Sequence, residues 1–312
     1  MQVHYDIAGL PSIDKAVVTI GTFDGVHTGH RLILEQLRQE ASAIGGQTVL
    51  VTFHPHPRKV VGNQQAGLQL INTLEERIAL LRAQGIDHLV IVPFTQAFAQ
   101  LTAQQYVQDF LVATFKPAVL VIGYDHRFGH NRQGNYQLLE ALQPHFGYRL
   151  VEIPAAVLDN ITVSSTQIRR ALINCQIEAA NELLGYPYFF TGTVVQGNKL
   201  GRTLGYPTAN LQLPDLEKLL PGNGVYAVKA SLPQQPASPQ LQGMMNIGVR
   251  PTVDGKRLVV EVNLFNFNQD IYHQPMQVAV WHYLRGEQKF EGLEALKRQL
   301  GVDKEAALAK LG

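Results

Sequence analysis

Cysteine is nearly absent from this chain. Its one copy, Cys175, rules out an intramolecular disulfide and suits a reducing compartment. Charge is scarce as well: only 16% of the 312 residues are Asp, Glu, Lys or Arg, and the formal net charge is +1. With a sequence pI of about 7.9, that balance argues against a general binder of nucleic acid or of anionic membranes. No uncharged apolar run approaches the ~20 residues that a membrane helix needs. Met1 to Leu10 carry neither a basic start nor a long apolar core, so no secretory signal is expected. Together these absences predict a soluble, cytosolic protein. Hydrophobic residues, by contrast, make up 46% of the chain, ample for packed cores and enough length for two domains.

From Ala16 to about Gly185 the pattern alternates. Val17–Thr22, Thr48–Phe53, Leu89–Phe94, Val119–Gly123 and Arg149–Ile153 are short β-branched runs. Between them, His30–Ile44, Leu74–Gln84, Ala103–Phe115 and Tyr136–Phe146 carry helical periodicity, two of them opened by the capping boxes Thr73–Glu76 and Thr102–Gln105. Such alternation predicts a doubly wound parallel sheet covered on both faces, with ligands beyond the carboxyl ends of its strands. The periodicity also predicts one helix over Gln167–Ala180, with Cys175 as a small buried side chain. Past Tyr186 the grammar changes to Phe189–Val195, Gly224–Ala230, Met244–Gly248, Leu258–Phe265 and Gln277–Leu284, short strands with Gly and Pro turns. Leu232–Gln240, with three prolines, reads as an exposed loop, and Leu293–Leu300 and Lys304–Leu311 as terminal helices. We therefore expect a parallel α/β domain at 1–185 and a closed antiparallel β-barrel with terminal helices at 186–312.

Four constellations in the first half carry chemistry. In Gly21-Thr22-Phe23-Asp24-Gly25-Val26-His27-Thr28-Gly29-His30, a strand gives way to a glycine-rich turn and a helix start. Free N–H groups there favour anions, and His27 and His30, three apart, share one side of the first turn. Near the positive end of a helix they suit neutral hydrogen-bond donors to a phosphoryl group. The second, Phe53-His54-Pro55-His56-Pro57-Arg58, presents histidines from a proline-stiffened loop. With Asp24, the four histidines leave zinc open as an alternative, although no His-x3-His face and no cysteine cluster occurs. The third is Gly123-Tyr124-Asp125-His126-Arg127-Phe128, again just after a strand. The fourth, Ser164-Ser165-Thr166-Gln167-Ile168-Arg169, offers three hydroxyls and a guanidinium at a helix start, which serve equally for capping or for gripping a polyphosphate.

In the second half, Gly197-Asn198-Lys199-Leu200-Gly201-Arg202 reads as a flexible flap for a phosphate chain, without a Walker A motif. Thr208 and Asn210 offer neutral oxygens suited to Mg²⁺. Glu261 interrupts a β-rich run; it is either an outward strand glutamate or a general base. Gly222-Asn223-Gly224 superficially matches a dinucleotide fingerprint but precedes a strand, so it is set aside.

The Gly-Thr-Phe-Asp-Gly-Val-His-Thr-Gly-His and Ser-Ser-Thr-Gln-Ile-Arg motifs resemble the nucleotidyltransferase module of bacterial bifunctional riboflavin kinase/FAD synthetases. Gly201–Asn210 with its Pro-Thr-Ala-Asn segment, Asn246–Thr252, Glu261, and Leu284-Arg285 with Phe290 resemble the flavokinase barrel of that family. The resemblance implies riboflavin, FMN and ATP as substrates, FMN and FAD as products, and Mg²⁺ as cofactor. It implies His27 and His30 at the α-phosphate of ATP, with Gly21, Phe23 and Asp24 around them and Ser164, Ser165, Thr166 and Arg169 on the outer phosphates. His54 and Asp125 fall near ATP and FMN. In the barrel it implies Gly197, Lys199, Gly201 and Arg202 over the phosphates, Thr208 and Asn210 at the metal, Glu261 as base and Arg285 near the flavin. Two residues depart from the pattern: Asn263 where a histidine is usual, and His126 where many members carry an aromatic. The His-x-x-His logic is shared by pantetheine-phosphate and nicotinamide-mononucleotide adenylyltransferases, the rival enzymes; a flavin-binding regulator without turnover is the rival of another class.

Overall fold

Val17 and Val18 point to opposite sides of one strand, and that alternation builds two cores from one sheet. The computed structural model describes residues 1–61, 67–124, 126–153, 163–197, 200–215, 217–234, 240–252 and 255–312. Asp125, Asn198, Lys199 and most of the proline-bearing loop after Leu232 thus lie outside the described residues. Contacts divide the chain into two units, Met1–Ser165 and Thr166–Gly312, whereas the change of sequence grammar falls later, at Gly185.

In the first unit six strands run parallel: β1 (Gln2–His4), β2 (Ala16–Ile20), β3 (Gln47–His54), β4 (His88–Pro93), β5 (Val119–Gly123) and β6 (Arg149–Ile153), in the order β1-β4-β3-β2-β5-β6. One face packs Val17, Leu50, Leu89 and Val121 against Leu34, Leu37 and Ala41 of helix α1 (Thr28–Ile44) and Leu81 of α2 (Leu74–Arg82). The other packs Val18, Val51, Val90 and Leu120 against Tyr106, Phe110 and Phe115, and against Leu139 of α3 (Tyr136–Phe146). The expected helix over Ala103–Phe115 forms, but Tyr106–Val112 is π-helical, a widening that periodicity does not reveal. The chain leaves β2 toward β3 on one side and pairs with β5 on the other, so the sheet order reverses between β2 and β5. A ligand crevice belongs at the carboxyl ends of those two strands.

Two sequence expectations are corrected in the second unit. Gln167–Ala180 is not one helix but two, α4 (Ser165–Ile173) and α5 (Ile177–Leu184). Cys175 lies between them at φ +60°, half-buried, with its thiol accepting from the Tyr226 hydroxyl at 3.3 Å. The terminal segments are one helix, α6 (Leu293–Leu311), which runs through Gly301 because Asp303, Ala307 and Leu311 are buried.

The strands β7 (Phe189–Val195), β8 (Ala209–Gln212), β9 (Gly224–Ser231), β10 (Leu241–Thr252), β11 (Gly255–Leu264) and β12 (Pro275–Arg285) close a barrel in the order β10-β11-β8-β7-β12-β9. Alternate residues fill it: Phe190, Val194, Val228, Met245, Ile247, Val260, Val262, Val278 and Val280 are all buried. Helix α6 packs outside, its Ala307 and Leu311 against Ala227, Met244 and Phe265. Gly224 opens β9, as expected, and not a helix.

Candidate active sites

The turn after β2 is built under strain. Phe23 and Val26, neither of them glycine, sit at φ +48° and +37°, and each is almost fully buried in the core that holds it there. Gly25, at φ +93°, supplies the remaining bend. The Asp24 carboxylate accepts from the Ile71 amide at 3.0 Å and the Asn72 amide at 3.2 Å, so it anchors the segment leading into α2. It is buried beside the histidines and adds negative charge there.

His27 is the N-cap of α1. Its Nδ1 accepts from the His30 amide at 3.3 Å, which assigns the remaining proton of a neutral ring to Nε2. The two imidazoles stack at 3.6 Å between centroids and 15° between planes, and Phe23 lies 4.9 Å from His30. Burial holds His27 down to about 4, against a partial opposing pull from Asp24. Burial, then repulsion from a proton on His27 and from the Arg77 guanidinium, hold His30 well below the ordinary histidine range. Both rings are neutral at pH 7. His30 Nδ1 is buried with no partner among the described residues, a donor or acceptor still to be used. Gly29 explains itself here: a Cβ would stand 3.3 Å from His27 Nδ1 and disturb the cap.

Ser165, the first residue of α4, donates from its hydroxyl to the Asp24 carbonyl at 2.9 Å. Ser165 is thereby tied to the turn of the first constellation. Ser164 and Thr166 are exposed, and Arg169 follows one turn into the helix. His54 ends β3, exposed, while His56 is buried and accepts from the Arg58 amide at 3.1 Å. Among the described residues no group of three or more His, Cys, Asp or Glu is placed to hold a metal.

In the barrel, register does the assembling. Glu261 on β11 pairs with Asn210 on β8 and with Asn246 on β10, so one carboxylate stands between two amides across neighbouring strands. Thr208 precedes β8 and lies two residues before Asn210. A side chain at Gly197 would strike the Asn210 amide, and one at Gly201 would strike the Tyr206 carbonyl with Thr208 Oγ1 3.4 Å away. The glycines of the flap are therefore needed where its backbone approaches the Thr208–Asn210 oxygens. Arg202, exposed, follows Gly201 in the short helix Leu200–Thr203. Asn263 is buried and donates from Nδ2 to the Pro207 carbonyl at 2.7 Å, holding the chain just ahead of Thr208.

Arg285, at the end of β12, is gripped by Asp303 of α6 through two parallel bonds, Nε–Oδ1 at 2.8 Å and Nη2–Oδ2 at 2.7 Å. Gln299 donates to the same Asp303 at 2.9 Å. Phe290 lies 5.7 Å from the guanidinium.

Residues 11–167 match the family model described as FAD synthetase, and residues 184–311 match the one described as riboflavin kinase. A bifunctional riboflavin kinase/FMN adenylyltransferase from Haemophilus influenzae is 38% identical over 97% of this chain and 98% of its own length. One from Bacillus subtilis is 36% identical over 94% of this chain and 92% of its own. The chain belongs to this family. Among solved structures, a protein named as a macrolide-efflux protein, from Streptococcus pneumoniae, superposes with a TM-score of 0.86 at 30% identity, covering 98% of both chains. The efflux name is that protein's; among the described residues here no helix is long and apolar enough to cross a membrane.

Within the riboflavin kinase/FMN adenylyltransferase frame, sequence reasoning missed Arg77 of α2. It is 6% exposed and reaches the loops around His30. Its signal was visible: Leu74, Arg77, Ile78 and Leu81 have the spacing of one apolar stripe, and Arg77 breaks it. Asn246, opposite Glu261, was quoted only as part of a motif, and the missed strand β8 brings Asn210 to the other side of Glu261.

Proposed function

We propose that the barrel half, 186–312, transfers the γ-phosphoryl group of ATP to the 5′-hydroxyl of riboflavin, giving FMN and ADP. The first half, 1–185, then joins FMN to the α-phosphorus of a second ATP, giving FAD and pyrophosphate. What supports this reading is that each unit holds a constellation of its own: a neutral histidine pair at a helix N-terminus in one, a Glu–Asn pair under a glycine flap in the other.

In the first site, the neutral His27 and His30 rings donate to the α-phosphoryl oxygens as charge builds on them, with the α1 N-terminus adding its own positive end. Ser164, Ser165, Thr166 and Arg169 bind the β- and γ-phosphates, and Gly21 and Phe23 shape the wall; His54 and Asp125 are the FMN-binding residues of this reading. In the barrel, Glu261 takes the proton from the attacking hydroxyl. Thr208 Oγ1 and the Asn210 amide oxygen fit Mg²⁺, being compact neutral oxygens with a carboxylate beside them. Bound there, Mg²⁺ would neutralise phosphate charge. Gly197, Lys199, Gly201 and Arg202 bind the phosphates, and Arg285 binds the flavin. No covalent protein intermediate is needed, so positioning and charge carry the catalysis.

The test is product analysis after incubating the protein with riboflavin, ATP and Mg²⁺. FMN followed by FAD is expected, with both lost on chelation of the metal and restored by Mg²⁺. FMN alone would sink the adenylyltransferase assignment; NMN- or phosphopantetheine-dependent release of pyrophosphate, without FAD, would move it to the rival transferases.

A further inference from the structure

Arg77 is a buried cation whose hydrogen bonds go to neutral carbonyls, while Asp24 and Glu75 favour its charge at longer range. Its Nη1 donates to the Thr22 carbonyl at 2.6 Å and its Nη2 to the Phe53 carbonyl at 3.4 Å. Thr22 follows β2 and Phe53 lies at the end of β3, so one guanidinium binds the exits of two neighbouring strands. One exit leads to His27 and His30, the other to His54. Thr52 Oγ1 donates to the same Thr22 carbonyl at 3.2 Å and tightens the junction. The Arg77 Nε is buried without a partner, and among the described residues none of its hydrogen bonds goes to a carboxylate. A guanidinium stripped of water in this way is costly unless an anion eventually faces it. Here the nearest chemistry is a pair of neutral imidazoles suited to a phosphoryl group.

We propose that Arg77 is a positioning residue of the adenylyl-transfer site: it locks the β2 and β3 exits together and supplies a fixed positive charge behind His30 that the polyphosphate compensates on binding. The proposal rests on the reading of His27 and His30 as the groups at the α-phosphorus. The titratable and charged groups acting on His30 are His27 at the cap and Arg77 from α2, and Asp24, in the turn before the cap, acts on those two in turn. Asp24 favours the charged form of both His27 and Arg77, and its carboxylate anchors Ile71 and Asn72, just ahead of α2. The two charges brace one loop from both ends. Burial does most to keep His30 from taking a proton and Arg77 adds to it, which preserves an uncharged donor at neutral pH.

The experiment uses the full chain carrying Arg77→Lys, which keeps the charge but not the fork, and Arg77→Gln, which keeps a donor but not the charge. FAD formation from FMN and ATP is followed from pH 5.5 to 8.5, with riboflavin phosphorylation in the same preparation as an internal control. The His30 imidazole is titrated by NMR. Both variants should lower kcat for FAD formation more than they change KM, by about tenfold for Lys and more for Gln. Riboflavin phosphorylation should stay at the wild-type rate. The His30 titration should move upward in Arg77→Gln, costing activity first at the acid end, and stay in place in Arg77→Lys. A merely structural arginine would lower activity without moving that titration. An unmoved titration in folded Arg77→Gln, or undiminished FAD formation, would overturn the proposal. If Arg77→Gln does not fold, Arg77→Lys decides it: wild-type kcat there refutes the fork. His30→Ala separates the two levels of argument, since retained FAD formation in that variant would refute the site itself.

Discussion

His27 shows how one residue links stability to chemistry. Its proton-free state is imposed by burial, with a folded pKa of about 4 against 6.5 in the open chain. Between those values the unfolded chain binds the proton and the folded one does not, so stability is complete above pH 6.5 and drains away as pH falls toward 4. The difference amounts to about 3 kcal/mol for this group. Replacing it by Asn keeps an acceptor for the His30 amide but removes the titration. Urea unfolding followed through the first unit should therefore lose less stability between pH 7.5 and pH 5 in His27→Asn than in wild type. Equal losses would show that His27 is not held neutral. The pairing of His27 and His30 was legible in the sequence as a spacing of three at a helix start. Their stacking and the strained φ of Phe23 and Val26 were not, because a positive φ at a non-glycine residue is imposed by tertiary packing rather than by local preference.

At the scale of elements, β8 is the most instructive omission. Its four residues overlap the Pro-Thr-Ala-Asn segment, which looks like a loop because it follows glycine and proline. Only pairing with β7 and β11 makes it a strand, and that pairing brings Asn210 opposite Glu261. The long, strongly patterned elements were legible for the opposite reason: Val119–Gly123, Arg149–Ile153, Phe189–Val195 and Tyr136–Phe146 coincide with the structure to the residue. Helix α6 crosses Gly301 because its tertiary contacts outweigh the cost of one helical glycine, about 1 kcal/mol. Among those contacts is Asp303, 3% exposed, clamped on Arg285. Asp303→Ala takes the carboxylate from that guanidinium, leaving it the Gly286 carbonyl, and should cost the barrel unit roughly 3 kcal/mol in urea unfolding. It should also raise KM for riboflavin as Arg285 loses its orientation, with FAD formation from supplied FMN unchanged. A wild-type KM in the folded variant would detach Arg285 from the flavin.

At the scale of the molecule, composition and alternation foretold a parallel sheet followed by a barrel, since periods of 3.6 and 2 change over near Tyr186. Two separate cores make it reasonable that each unit keeps its own chemistry. The helices α4 and α5 fall with the barrel by contact, although α4 opens with the hydroxyls assigned to ATP in the first half. Sequence grammar sees repeating patterns and cannot see which neighbour a short helix chooses.

The claim at the centre of this account is one active site per unit, and it is tested most directly by placing Glu261→Gln and His30→Ala separately in the full chain. Each folded variant is incubated with ATP and Mg²⁺ and either riboflavin or FMN, and the flavins are separated. Glu261→Gln should make no FMN from riboflavin yet convert supplied FMN to FAD, and His30→Ala should accumulate FMN without FAD. Loss of both reactions in either variant would contradict the assignment.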